Sequence, residues 1–375
     1  RLQLLEDHNP HFADRRVAVQ AIASAEFGEF DGFVPDAGIN LDPTRGDAPR
    51  MSASRLETFG TCPRRFFFRY GLGINAPDQL VIDFDRWLTP MVFGTLIHSV
   101  FEIFLRELTA EELVPEFTRD LPRLRKLLHE HIDEYRANYP IPNEDAFKRQ
   151  VQELEKTIEI YLREDERYCK ETGARPWVLE ASLGVGGELP ETEVSCAAPV
   201  LVPLSDGRQL KMGGMIDRID RVEEAGATFC NIWDYKSGSS YAFSQESPFQ
   251  QGRKLQPFLY VGMLRHRLSE TTGGKVEVRQ FGYFFPNPRA NKVRLQWTRA
   301  ELKTGDEIMR AICDLISAGS FVATDNADDC RFCDYQQICG DPKLVALNTN
   351  TMLSAAANPA LQPFDKLRNV DGDDK

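Results

Sequence analysis

The sequence predicts an α/β fold, a mixed central sheet flanked by helices and interrupted by a helical insertion. Three observations predict it. Apolar residues recur every three or four positions from Pro90 to Leu108 and from Asp145 to Cys169, the period of buried helices. From Arg175 the pattern shortens, and strand-like runs follow at PWVLEASL and at KVEVRQFGYFFP, Lys275–Pro286. Between them Lys211–Ser237 reads as two strands joined by a tight turn at Gly226.

With 375 residues, 42% hydrophobic and 27% charged, the chain is long enough for one large or two modest domains. No run approaches a membrane span, and the start RLQLLEDHNPHF lacks both an initiator methionine and a signal-peptide core. It looks like the interior of something longer or a processed chain, and a cytoplasmic location is expected. A net charge of −12 argues against whole-surface attraction to nucleic acid, though not against a local basic track. Of the eight cysteines, Cys330, Cys333 and Cys339 are grouped as C-x2-C-x5-C. Without a secretion signal these read as thiolate ligands rather than disulfides.

Taken in order, residues 1–50 form an irregular segment or linker, with one helix expected at Asp14–Phe27. Ordered structure is expected from Met51, with a capping box of Ser54 and Glu57 or a cap at Ser52, and with Pro63 at a break or first turn. The Pro90–Leu108 helix carries His98 and Glu102 one turn apart, with Gly94 a turn earlier allowing close approach. The insertion, about 109–174, comprises two long helices. His129 and His131 there lie on different faces, a poor metal pair. The first strand contains Glu180, on a polar face or as a buried functional acid. A helix follows the hairpin with Pro257 near its start, bringing Gln256 and Tyr260 to one face. Arg289, Lys292, Arg294 and Arg299, with Trp297 among them and no acid in Asn287–Arg299, suggest a phosphate track with a stacking platform, or equally a solvated hairpin edge. A helix beginning near Thr298 or Thr304 runs towards Ile316, and residues 341–375 read as a loose wrapping tail.

The hairpin holds the chemistry. With Glu223 and Thr228 flanking a four-residue connection and its centre between Ala225 and Gly226, Asp217 falls opposite Asp234 and Lys236 shares the face of Asp234. Like charges facing each other across a ladder repel. Either a divalent cation compensates them, or the face is a salt-bridged surface that includes Arg218, Asp220 and Arg221.

These residues together resemble the PD-(D/E)XK nuclease superfamily, in its RecB-type branch with the AddB nuclease domain, Cas4 proteins and Exo5-like exonucleases. The resemblance rests on GTLIHSVFE (Gly94–Glu102), VLEASL (Val178–Leu183), GGMIDRID (Gly213–Asp220), IWDYKSG (Ile232–Gly238) and QGRKLQPFLYV (Gln251–Val261), in the family's order and within Ser52–Gly340. It implies a restriction-endonuclease-like core over residues 51–340. It also implies a metal-dependent DNA nuclease, an exonuclease on single strands or processed ends, within a repair and recombination helicase–nuclease system. Carried over, His98, Asp217 and Asp234 would bind Mg²⁺ or Mn²⁺ with the carbonyl of Tyr235. Lys236 would orient the attacking water, Gln256 and Tyr260 would position substrate or the lysine, and Glu180 matches the acid of the first core strand. Cys62, Cys330, Cys333 and Cys339 match the family's [4Fe–4S] staple; spacing alone suits zinc. DNA, single-stranded by expectation, and a helicase domain or subunit are the implied partners. The alternative is a non-catalytic nucleic-acid-binding scaffold that keeps the fold and the cluster.

Overall fold

The computed structural model describes residues 25–76, 83–186, 192–290, 292–355 and 358–370, with residues 11 and 16–19 besides. Half of the helix expected at Asp14–Phe27 lies outside them; residues 16–19 are helical and residues 25–27 are not. The helices before the sheet follow their sequence signals. Helix α1 (Pro35–Leu41) opens on its proline. Helix α2 (Ala53–Thr61) is capped by Ser52, whose hydroxyl accepts from Arg55 N at 3.2 Å. Helix α3 (Pro63–Phe66) starts at Pro63, where an absent N–H leaves nothing unpaired, and Cys62 forms the joint between the two. The Ser54–Glu57 box does not form. Glu57 instead accepts from the backbone N–H groups of Leu255 and Gln256, at 2.8 and 3.0 Å, across 198 and 199 residues.

Helix α4 (Pro90–Ala110) buries Phe93, Leu96, Ile97, Val100, Phe101, Phe104 and Leu105, the predicted stripe. Helices α5 (Phe117–Asn138) and α6 (Glu144–Thr172) form the insertion and pack on each other. His131 meets Ser99 between helices, and His129 meets Glu155.

The strands are β1 (Arg175–Leu183), β2 (Val200–Pro203), β3 (Gln209–Met212), β4 (Gly214–Glu224) and β5 (Ala227–Tyr235). Helix α7 (Gln256–Thr272) leads to β6 (Val276–Phe284) and β7 (Arg294–Thr298). The main sheet runs β1-β4-β5-β6-β7, antiparallel except for the β5–β6 pair, which α7 joins. Strands β2 and β3 form a separate ribbon. This ribbon departs from the sequence reading, because Lys211 and Met212 belong to it and not to the central hairpin. Gly213 makes the break: a Cβ there would lie 2.6 Å from the carbonyl oxygen of Gly184.

The hairpin turn is tighter than the expected four residues. Glu224 already pairs with Ala227, leaving Ala225 (φ 52°) and Gly226 (φ 82°), two left-handed residues as a type I′ turn requires. The register is the expected one. Arg218 pairs with Trp233, and one further step sets Asp217 against Asp234.

Two apolar cores sandwich the sheet. On one face Ile216, Ile219, Ile232 and Phe281 pack with Leu259, Met263 and Leu264 of α7 and with Ile312 of helix α8 (Gly305–Ser317). On the other, Leu179, Val222 and Trp233 pack with α4, α5 and α6. Beyond α8 come the short helix α9 (Gln336–Cys339), α10 (Pro342–Ser354) and α11 (Gln362–Asn369). Described parts of the expected linker and of the expected loose tail are packed against the core. In α1, a Cβ on Gly38 would come within 2.5 Å of Gly319 N, while α11 buries Phe364 and Leu367 against α8. Arg368 donates to the carbonyls of Gly60 and Gln251 at 2.7 and 2.6 Å. No helix among the described residues is long and apolar enough to cross a membrane.

Candidate active site

Four elements bring the site together. Strand β1 supplies Glu180, β4 supplies Asp217, the end of β5 supplies Asp234 and then Lys236, and α4 lays His98 over them. Gly94 lets α4 come close, since a Cβ there would sit 3.2 Å from Ser237 Oγ. Glu180 adopts φ 48° within a strand, a conformation costing roughly 1–3 kcal/mol and concentrated at functional sites. Ladder pairing skips Glu180 and Asp217, being recorded at Leu179–Arg218 and Ala181–Ile216 on either side.

Among the described residues, His98, Glu180 and Asp217 form the group whose ligand atoms all lie within 4.8 Å of one another. His98 Nε2 lies 3.2 Å from the carbonyl oxygen of Tyr235. A carbonyl only accepts, so Nε2 carries the hydrogen and Nδ1 presents its lone pair 3.5 Å from Asp217 Oδ2. Burial lowers the pKa of His98, which keeps the ring neutral, as a metal ligand must be. Asp217 Oδ2 also accepts from Tyr235 N at 2.8 Å.

The set differs from the expected His98, Asp217 and Asp234 in one respect. Asp234 is turned towards the basic side of the site, its Oδ2 2.5 Å from Lys236 Nζ and its Oδ1 accepting from Gln256 Nε2. Glu180 takes the third place. The carbonyl oxygen of Tyr235, expected as a ligand, lies at the same place, 3.2 Å from His98 Nε2.

The site is short of positive charge. Burial, then the charges of Asp234 and Glu180, raise the pKa of Asp217 well above the carboxylate range. Burial and the neighbouring Glu102 push Glu180 up to about 7. Burial alone would lower Lys236, but Asp234 and Asp217 outweigh it and hold the ammonium above its ordinary pKa. A hard divalent cation fits this donor set of imidazole and carboxylates. Asp234 Oδ2, engaged by the Lys236 ammonium, is a further carboxylate oxygen at the same place.

Gln256 and Tyr260 of α7 do reach the site. Gln256 Oε1 accepts from Lys236 Nζ at 3.2 Å, and Tyr260 packs over Gly214 near Asp234 and Asp217, which with burial keep its hydroxyl protonated. Sequence reasoning missed three supports. Tyr283 donates to Gln256 Oε1 at 3.3 Å and places its ring 5.0 Å from Lys236 Nζ. Asn287 donates to the carbonyls of Lys236 and Gly238 at 3.3 and 3.0 Å, holding the loop behind the lysine. Glu57 caps the helix that carries Gln256. Each reads locally as something else: a strand aromatic, a turn residue, a capping box.

The chain belongs to the PD-(D/E)XK nuclease superfamily. The superfamily's sequence model matches residues 50–340. Curated relatives include an ATP-dependent helicase/deoxyribonuclease subunit of Clostridium tetani, 27% identical over 245 residues, 64% of this chain and 20% of that protein. The subunit of the same name in Caldanaerobacter subterraneus subsp. tengcongensis is 26% identical over 278 residues, 70% of this chain and 22% of that one. The Clostridium acetobutylicum subunit is 26% identical over 270 residues, 71% of this chain and 22% of that one. The chain therefore spans about a fifth of the length of these relatives.

Three of the four basic side chains of the segment Asn287–Arg299 are held in ion pairs. Arg294 is largely buried, bonded to Asp165 at 2.9 Å and stacked 3.9 Å over Phe284. Arg289 pairs with Glu153 and Lys292 with Glu164. Trp297 is 2% exposed and offers no stacking platform; Arg299 is exposed. The acids that neutralise the segment come from α6 of the insertion, more than a hundred residues earlier, which a local reading cannot see.

Cys62, Cys330, Cys333 and Cys339 share one neighbourhood, with Cys339 acting electrostatically on Cys62 and Cys339 and Cys333 on Cys330, but among the described residues no three of their sulfurs lie within 4.8 Å of one another. Burial pushes the Cys62 thiol up to about 11 and also raises Cys330 and Cys339. Arg65 Nε, beside Cys330, is buried without an acceptor. A buried donor without an acceptor could bond a sulfur-bearing group held beside Cys330. Cys169, Cys196, Cys230 and Cys313 are buried and free.

Proposed function

We propose that this chain is the nuclease part of a DNA repair and recombination machine, hydrolysing DNA phosphodiesters with Mg²⁺ or Mn²⁺ and acting as an exonuclease on single strands or processed ends. One observation carries the proposal: three carboxylates and a neutral imidazole meet around a single ammonium, leaving a charge deficit that a divalent cation would fill. His98 Nδ1, Asp217 and Glu180 would hold the ion, with Asp234 Oδ2 adjoining. Bound there, the ion would polarise the phosphate and lower the pKa of a water. Lys236, kept charged by Asp234, donates hydrogen bonds to the phosphate oxygen that gains charge, and orients the attacking water. Gln256 and Tyr283 fix its direction.

The names of the relatives, which join a deoxyribonuclease to an ATP-dependent helicase, support a helicase subunit as partner. A cytoplasmic location goes with that reading. The cysteine group would hold a [4Fe–4S] cluster that ties α2 and α3 to the segment after α8. Iron and zinc content and visible absorbance of the purified protein test that assignment, and zinc at one equivalent without iron would replace it.

The decisive assay uses end-labelled single- and double-stranded DNA with and without Mn²⁺. Cation-dependent cutting by the wild type and its loss in Lys236→Ala are expected. A folded Lys236→Ala that cuts like wild type would sink the mechanism.

A further inference from the structure

Beyond Glu180 the active-site cleft continues into a second cavity, of about 370 Å³. His98, Glu102 and Ser99 line the cleft on one side of Glu180. Arg106, Trp177, Leu179, Ser182 and Ser195 line the cavity on the other. None of the residues argued above for cation binding or lysine positioning, apart from Glu180, faces this cavity.

Its position relative to the acids follows from the ladder. Ala181, Leu183 and Ile216 point into the core beneath α7, so Ser182 and Met215, which pair across β1 and β4, stand on the opposite face, and Ser182 lines the cavity together with Glu180. They lie two residues along from Glu180 and Asp217. At the rise of a β-strand that is about 7 Å, the reach of one nucleotide.

The lining matches a nucleobase. Trp177 is a half-buried indole, pinned by the Arg221 guanidinium 3.6 Å from its ring. Ser182 is 5% exposed and its hydroxyl has no hydrogen-bond partner, so a buried donor is kept without a structural bond to make. The Ser195 hydroxyl stands beside it, accepting from Ser182 N at 3.3 Å. Met215, 45% exposed, is the cross-strand neighbour of Ser182, and Val178 and Val194 supply apolar lining. Arg106, bonded to Glu102 and to the carbonyl of Leu179, marks the boundary with the cleft.

We propose that this cavity takes the unpaired base of the nucleotide next to the scissile phosphate, with Trp177 as the stacking wall and Ser182 and Ser195 as the hydrogen-bonding edge. The proposal rests on the nuclease reading for which phosphate is cut, but it makes its own claim: strand binding depends on free bases, and a paired base cannot enter. Stacking of this kind tolerates any sequence.

The test measures binding in EDTA, so cutting plays no part. Fluorescence anisotropy compares a (dT)-oligonucleotide with an abasic strand of equal length. Wild type should prefer dT by roughly tenfold, the scale of one stacked base. Trp177→Ala should abolish that preference while leaving abasic-strand binding unchanged. Ser182→Ala, which removes an unbonded hydroxyl and so keeps the fold, should reduce the preference about threefold, one modest hydrogen bond. A purely structural role would weaken both strands equally or neither. Equal preference for dT in wild type, Trp177→Ala and Ser182→Ala, or no preference in wild type, would overturn the proposal. If Mn²⁺ produced no cutting but the dT preference behaved as stated, the nuclease mechanism would fall and the base pocket would stand.

Discussion

Two clusters of charge sit back to back on the same pair of strands, and they are built to opposite rules. Behind β4, Arg218 is fully buried, bonded to Asp165 at 2.7 and 2.8 Å and to Asp220 at 2.6 Å, while Arg294 reaches Asp165 from β7. Two guanidinium groups meet two carboxylates, so the cluster is balanced in charge. In front, Asp217, Asp234 and Glu180 meet one ammonium. Tyr235 belongs to both. Its hydroxyl lies 3.2 Å from Arg218 Nη1, and its backbone N–H and carbonyl face Asp217 and His98. A balanced buried cluster fixes structure, whereas an unbalanced one is a site waiting for a ligand.

The largest expected effect breaks the front cluster. Asp217→Ala should lower cation-dependent cutting by about a thousandfold or more, the scale of losing a group that stabilises transition-state charge. It should not lower the melting point of the cation-free protein, because it relieves like-charge crowding. Cutting and melting measured on the same sample check both halves; a large loss of stability would mean the acid is structural.

Arg218→Ala should do the reverse. It leaves Asp165 and Asp220 buried with diminished compensation, a loss of about 3–5 kcal/mol, read by urea denaturation. Retained stability would show that the rear cluster is dispensable.

Acidity sharpens the contrast further. The folded, cation-free protein keeps the Glu180 proton up to about pH 7, against an ordinary value near 4.5. That raised affinity favours the folded state at low pH, and the contribution fades as pH rises through the window up to about 7. Cation binding must displace the proton, so it tightens over the same window. The increase in melting temperature given by Mn²⁺ should therefore grow from pH 6 to pH 8, and a pH-independent increase would remove Glu180 from the ligand set.

The smallest effect concerns the exposed pairs. Arg289→Ala and Lys292→Ala should each cost at most about 1 kcal/mol and leave the salt dependence of strand binding nearly unaltered. A salt slope reduced by about one per substitution would restore them as phosphate contacts.

What could be read in advance divides along similar lines. The hairpin register, His98 on its helix and the Gln256–Tyr260 face were legible because each depends on short-range periodicity. The seven-residue apolar stripe of α4 was legible for the same reason. Glu57, Tyr283 and the neutralisation of Arg294 were not, since each is decided by a partner more than twenty residues away. The exchange of Asp234 for Glu180 within the 4.8 Å group was hidden for another reason. It follows from the φ of 48° at Glu180 and the lysine's hold on Asp234, and no pattern of residue types records either. The β2–β3 ribbon was missed because its strands are only four residues long and lie among turn residues.

Arg368 carries a practical lesson about where this protein can be trimmed. Its guanidinium gathers carbonyls from the end of α2 and from the loop before α7 and pairs with Asp325 at 2.9 Å, yet it lies 28 positions past the last residue matched by the superfamily. Cutting the gene after codon 340 would keep every group that does chemistry and discard the bolt that holds their two supports in line. A shortened version of that kind should come out of expression insoluble or inert, and its failure would say nothing about the acids.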